Sequence, residues 1–138
     1  MSAGVPVESP GHFLTVEPEE CRRLLRDATI GRVSWPSSAG LVTLPVTYGV
    51  HDDGRIGFHA AARGLLSELA AEPADVAFEV DDIDGETLTG WSVLVRGAAA
   101  AWQGDWPDGL CRAWAPGHSD LTLQITPHAY SGRSVSAD

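Results

Sequence analysis

The sequence contains no lysine: all nine of its basic side chains are arginine, against 19 acidic residues and a formal net charge of -10. A chain this acidic lacks the positive field that a polyanion needs. Nucleic acid and an anionic membrane surface are therefore not expected partners. A small anionic cofactor is not excluded, because a local pocket is enough to hold it. Any phosphate would then meet arginine, a hydroxyl or backbone N–H groups. Cysteine is nearly absent as well. Cys21 and Cys111 make neither a disulfide framework nor a zinc site, and both are expected to be reduced, partly buried thiols. No apolar run approaches the roughly 18 residues of a membrane helix. Met1 to Glu8 has neither a positive n-region nor an apolar h-region, so no signal peptide is expected and the cytoplasm is the default location. No HExxH, Gly-x-Ser-x-Gly, P-loop or Gly-x-Gly-x-x-Gly motif is present. His12, His51, His118 and His128 are too dispersed to suggest a metal site. Asp81, Asp82 and Asp84 read as a solvated acidic connection rather than a metal loop.

What is present suits one globular domain: 138 residues, 43% hydrophobic and 20% charged. Residues 1–11, rich in Pro, Gly and Ser, read as a flexible N-terminal arm, with the domain over 12–138. Thr15 has the chemistry of an N-cap, followed by Pro18 and three glutamates in a first turn. That predicts a helix from about Glu17 to Asp27. Strands are predicted over Gly31–Trp35, Leu41–Val50, Arg55–His59, Asp75–Val80, Thr89–Ala101 and Leu121–Thr126. Val42, Leu44, Val46 and Tyr48 give the period of two, and Asp53-Gly54 gives a hairpin turn. Ala60 to Ala71 reads as a helix with a Leu65, Leu66, Leu69 stripe, stopped by Pro73, and a short helix is possible near Leu110. Short connections between six strands predict a mainly β fold, an antiparallel barrel or sandwich, and argue against a Rossmann sheet.

Four stretches, in order, carry a resemblance: Ile30-Gly31-Arg32-Val33; Leu44-Pro45-Val46-Thr47-Tyr48 with Ile56-Gly57-Phe58-His59; Val76 to Asp81 leading into Gly90-Trp91-Ser92-Val93-Leu94-Val95-Arg96-Gly97; and Asp120 to Pro127 ending in Ser131-Gly132-Arg133. From about Glu17 to Arg133 the chain resembles the pyridoxamine 5'-phosphate oxidase-like flavin-binding split-barrel proteins, especially the small actinobacterial kind. The resemblance implies a six-stranded antiparallel split β-barrel with a few short flanking helices, paired into a homodimer with cofactor sites in its interface. It implies a flavin (FMN)-dependent oxidoreductase acting on a small molecule. Pro45, Val46 and Thr47 would line the isoalloxazine ring. Phe58, His59, Ala60, Arg63 and Gly64 would lie along the ribityl phosphate. Trp91 and Ser92 would approach from the partner subunit.

The chain departs from the family pattern at the phosphate loop. Where the family reads Phe-Arg-Thr-x-x-Gly-x-Lys, this sequence has His59 for the Arg, Ala60 for the Thr and Leu65 for the Lys. Two phosphate ligands are thereby lost, each a hydrogen bond worth ~1.5–3 kcal/mol when charged. Arg63 is the candidate to compensate, with backbone N–H groups at the start of its helix. This departure supports the alternative: a non-catalytic split barrel, or one that binds the deazaflavin F420 or a tetrapyrrole, with a degenerate FMN phosphate site. His59 otherwise reads as a half-exposed strand-end residue, Arg63 as solvated, Trp91 as a packing anchor and Ser92 as a strand-face hydroxyl. Trp102, Trp106 and Trp114 read as packing residues around a variable loop, with Trp114 also a candidate for the substrate side.

Overall fold

Apolar and polar residues alternate along nearly every strand of this chain, and the alternation bends one sheet into a ring around its buried half. The computed structural model describes residues 12–112 and 121–136. In chain order the elements are β1 (His12–Val16), α1 (Pro18–Asp27), β2 (Ile30–Ser37), β3 (Gly40–Val50), β4 (Ile56–Ala60), α2 (Ser67–Ala71), β5 (Ala74–Asp84), β6 (Thr89–Ala101) and β7 (Leu121–Ser136). All strand pairs are antiparallel. The order β7-β4-β3-β2-β5-β6 closes on itself through β6 and β7, and β1 lies beside the far end of β7. The mainly β, antiparallel barrel fold is thus as the sequence predicts, with one strand more than the six foreseen. Closure also removes most of the unpaired strand edge.

Strand β5 shows how the sequence does this. Val76, Phe78 and Val80 are buried, while Ala77, Glu79 and Asp81 face outward. Phe78 sits opposite Val33 on β2 and Val95 on β6, both fully buried. Tyr48 meets the Phe78 ring edge-on at 5.0 Å, and its hydroxyl donates to the Leu25 carbonyl. Helix α1 contributes Cys21 and Leu25 to the core, and α2 contributes Leu69.

Several local expectations are corrected. Thr15 is a strand residue opposite Arg133; the helix N-cap is Glu17, without a side-chain cap bond. β2 continues through Pro36, which pairs with Leu41 at the hairpin end. Only Arg32 to Ser34 pair on the β5 side, so the missing N–H interrupts no ladder there. Asp81, Asp82 and Asp84 belong to β5 and pair with Ser92, Trp91 and Thr89. β7 reaches Ser136, through Pro127, because β6 offers partners along its whole length. A bulge leaves His128 without an opposite residue, between Arg96↔Ala129 and Gly97↔Pro127. The helix expected over Ala60 to Ala71 forms only at Ser67–Ala71. Ala60 closes β4 opposite Leu121, and residues 61–66 make successive tight turns. Near Leu110 there is a turn closed by its N–H on the Pro107 carbonyl, not a helix. The N-terminal arm, Trp114 and His118 lie outside the described residues.

Candidate functional site

The period of two sorts the candidate residues into two groups. Val46, Phe58 and Ala60 point into the barrel, where they are 3%, 0% and 5% exposed. They shape the wall from behind and present no side chain to a ligand outside the barrel. Pro45, Thr47 and His59 occupy the alternate, outward positions on β3 and β4. The outer surface of these two strands is therefore where the sequence-derived candidates come together.

That surface is already partly covered by the chain itself. After β6, residues 102–112 run as an irregular strap across β3 and β4. Gly49 and Gly57 make room for it: a Cβ on Gly49 would strike the Leu110 carbonyl oxygen, and one on Gly57 would lie 2.6 Å from Leu110 Cδ2 and 3.0 Å from Trp106. Thr47 Oγ1 donates to the Arg112 carbonyl at 2.5 Å, which fixes the far end of the strap. At its near end Trp102 packs edge-on against Trp106 at 5.0 Å. The Arg55 guanidinium lies 3.9 Å from the Trp102 ring centroid and also donates to Asp53, the Gln103 carbonyl and Gln124 Oε1. Gln124, 7% exposed, accepts from Arg55 and from the Gln103 N–H, so one buried amide ties strap to barrel. Trp102 and Trp106 are packing residues, as expected. Cys111, half-buried beside the Gly57 carbonyl, has its thiol pushed up to about 11 by burial. That argues against a reactive thiolate.

His59 is where the strap meets the candidate site. Its ring lies 4.9 Å from Trp106, and its Nδ1 is buried with no hydrogen-bond partner, alone in this among the described residues. A buried ring nitrogen with no partner among the described residues leaves a hydrogen-bonding position open. At the phosphate end the fit is poorer. Leu65 packs against the core and Ala60 is part of it, so the two departures from the family pattern are built into the packing. Arg63 and Gly64 are exposed in the turns before α2, and Arg63 has no ion pair among the described residues. It does not begin a helix, and α2 is too short to offer a helix terminus to an anion.

Trp91 and Ser92 are separated by the same alternation. Trp91 follows the inward phase of Val93 and packs against the core. Ser92 faces outward, opposite Asp81 and Arg133, and lines a cleft of about 360 Å³ with Glu79, Leu94, Ser131 and Arg133. Burial first, then the neighbouring Asp81 carboxylate, push Glu79 up to about 7 against the opposing pull of Arg32. Sequence reasoning did not single out Gly49, Gly57, Gln124 or Glu79. The glycines interrupt otherwise apolar strands, a signal of close backbone approach. Glu79 owes its character first to burial, which local sequence does not show, and then to Asp81 two residues on. Among the described residues no group of His, Cys, Asp and Glu is arranged to hold a metal. No described helix is long and apolar enough to cross a membrane.

Known proteins share this architecture. The chain is 29% identical over 141 residues to an uncharacterized protein of Mycobacterium tuberculosis, covering 95% of this chain and 91% of the relative. An FAD-binding protein from Mycobacterium smegmatis superposes with a TM-score of 0.69 at 24% identity, covering 89% of this chain and 98% of that one. An FAD-binding protein from Mesorhizobium loti does so with a TM-score of 0.71 at 22% identity, covering 91% and 98%. The family model of pyridoxamine 5'-phosphate oxidase matches residues 17–134, nearly the whole barrel. The chain belongs to the pyridoxamine 5'-phosphate oxidase family.

Proposed function

We propose that the protein is a flavin-binding oxidoreductase of the cytoplasm, working as a homodimer on a small-molecule substrate, with FMN as its cofactor. The observation that carries this reading is His59. A buried Nδ1 with no partner among the described residues stands on the outward side of β3 and β4, beside Pro45 and Thr47, in a chain of this family. Flavin binding by two proteins of the same fold supports it. In this reading Pro45 and Thr47 flank the ring and His59 bonds the cofactor. Arg63 is the cation available to the phosphate, and Ser92 of one protomer faces the site of the other. A bound flavin supplies the electron transfer; the protein supplies position and a restricted, partly apolar surface.

The test is spectroscopic and thermodynamic. Flavin-free protein titrated with FMN should bind it and shift the flavin absorbance. Arg63→Ala should weaken FMN by about 10-fold or more, the scale of one charged hydrogen bond, and riboflavin by much less, since riboflavin has no phosphate. No uptake of either flavin would overturn the reading. Uptake of riboflavin and FMN with equal affinity would remove the phosphate from it.

A second reading is favoured by Ala60 and Leu65. Because both sit in the packing, the loop is shaped for a ligand without the FMN phosphate contacts. That suits a binding protein for F420 or a tetrapyrrole, without catalysis of its own. Binding of F420 in preference to FMN would select it.

A further inference from the structure

The outward surface of β5, β6 and β7 carries a cleft that the packing of the protein does not use. Ser92 on β6 stands opposite Arg133 on β7, and Leu94 opposite Ser131, so one row of outward positions forms its floor and walls. The Ser92 and Ser131 hydroxyls and the Arg133 guanidinium have no hydrogen bond or ion pair among the described residues. Arg133 only rests against the Phe13 ring, 4.9 Å from its centroid. Glu79 closes the cleft from β5, opposite Leu94.

The charges around Glu79 set its state. On its own strand is Asp81. From β2 comes Arg32, whose Nη1 lies 3.5 Å from Glu79 and 3.9 Å from Asp81, a single cation between two carboxylates. From β6 the side chains are Ser92 and Leu94; Arg96 lies one step further along, opposite Ala77. From β7 the charged residue is Arg133. Protonated, Glu79 shares its proton with Asp81 and takes one negative charge off a cleft whose Ser92, Ser131 and Arg133 side chains can all donate. Ionised, it sets a second negative charge beside Asp81 in the same place.

We propose that this cleft binds a carboxylate-bearing small molecule, whose oxygens accept from Arg133, Ser92 and Ser131, and that binding takes up a proton at Glu79. The role of that molecule as the substrate rests on the flavin reading, in which Ser92 faces the cofactor of the other protomer. The binding itself does not. Glu79 titrates near neutrality by burial and by Asp81, which places the proton uptake in the physiological range.

Calorimetric titration of flavin-free protein with benzoate tests it. Affinity should fall about 10-fold between about pH 6 and about pH 8, as expected for one linked proton with a midpoint near 7. Glu79→Gln is neutral at every pH and should bind with the acid-side affinity at both values. Arg133→Gln should lose binding at both, and benzyl alcohol, which has no carboxylate, should not bind. Asp81→Asn should move the midpoint downward by removing the like charge. No benzoate binding at either pH overturns the proposal, and so does binding by the unaltered protein that ignores pH. Since no flavin is present, either failure leaves the flavin reading standing. Absence of flavin uptake would equally leave this site standing.

Discussion

Gly57 carries more of the structure than its lack of a side chain suggests. It faces outward on β4, where the strap lays Leu110, Trp106 and Trp102 over it, all within 3.1 Å of where a Cβ would stand. Gly57→Ala would force the strap off β4 or distort it, at a cost of ~1–3 kcal/mol, the range for overpacking a filled site. Urea denaturation should show it, while alanine at Gly54, a turn position with open space, should cost strain but no clash. Glu79 makes a different forecast. Its folded-state pKa, about 7, lies above its ordinary value of 4.5. The folded state therefore holds this proton more tightly than the unfolded state. The resulting stability is present at low pH and is lost as pH rises from about 4.5 through about 7. With its side chain 34% exposed, solvent screening reduces the effect to the order of 1 kcal/mol. In Glu79→Gln this component of the pH dependence should vanish from thermal melts. An unchanged slope would mean that Glu79 titrates normally.

At the scale of elements, legibility followed periodicity. β6 was readable end to end, Thr89 to Ala101, because its apolar run is centred on Val93-Leu94-Val95 and the segment from Gln103 to Gly109 after it reads as a loop. β7 was readable only to Thr126. Beyond it, Pro127, Gly132 and a run of small polar residues have no strand signature of their own. They are strand because β6 and β1 flank them, a tertiary effect that local pattern does not carry. The alanines after His59 fail in the opposite direction: their helix propensity is real, but Ala60 is held by pairing with Leu121. The same split governs the site. Pro45, Thr47, His59 and Ser92 were legible as outward residues of recognisable strands. The motif also draws in Val46, Phe58, Ala60 and Trp91, whose side-chain phase turns them inward. The strap reads only as a loop with packing tryptophans, since the contacts that seat it come from Thr47, Gly49, Gly57, Arg55 and Gln124, between 21 and 65 residues away where hydrogen bonds join them. Gln124→Leu tests the strap as an element. It would leave the Gln103 N–H and one Arg55 donor without their shared acceptor, costing about 1–3 kcal/mol. Loss of protection at residues 102–106 in hydrogen exchange should exceed that in β5.

The whole molecule brings the question of assembly. One protomer leaves Ile30, 44% exposed, on the outward face of β2 directly opposite Thr47, and Leu41, 85% exposed, at the β2–β3 hairpin. Ile30 thus adjoins the surface that holds Thr47, Pro45 and His59. If the cofactor lies between protomers, assembly and flavin binding share that surface and must be thermodynamically linked. Each chain carries a formal charge of -10, so two chains repel, and added salt should strengthen the pairing by screening. Three measurements then have to agree. Light scattering should give a dimer at micromolar concentration. Dilution should release flavin in step with dissociation, and raising the ionic strength should reverse both. Ile30→Glu adds a charge at the shared surface without touching the core, and should cut dimerisation and flavin uptake together while leaving the thermal unfolding of the barrel nearly unchanged. A variant that stays monomeric yet binds flavin as tightly as the unaltered protein would separate the two, and would place the whole cofactor site within one protomer.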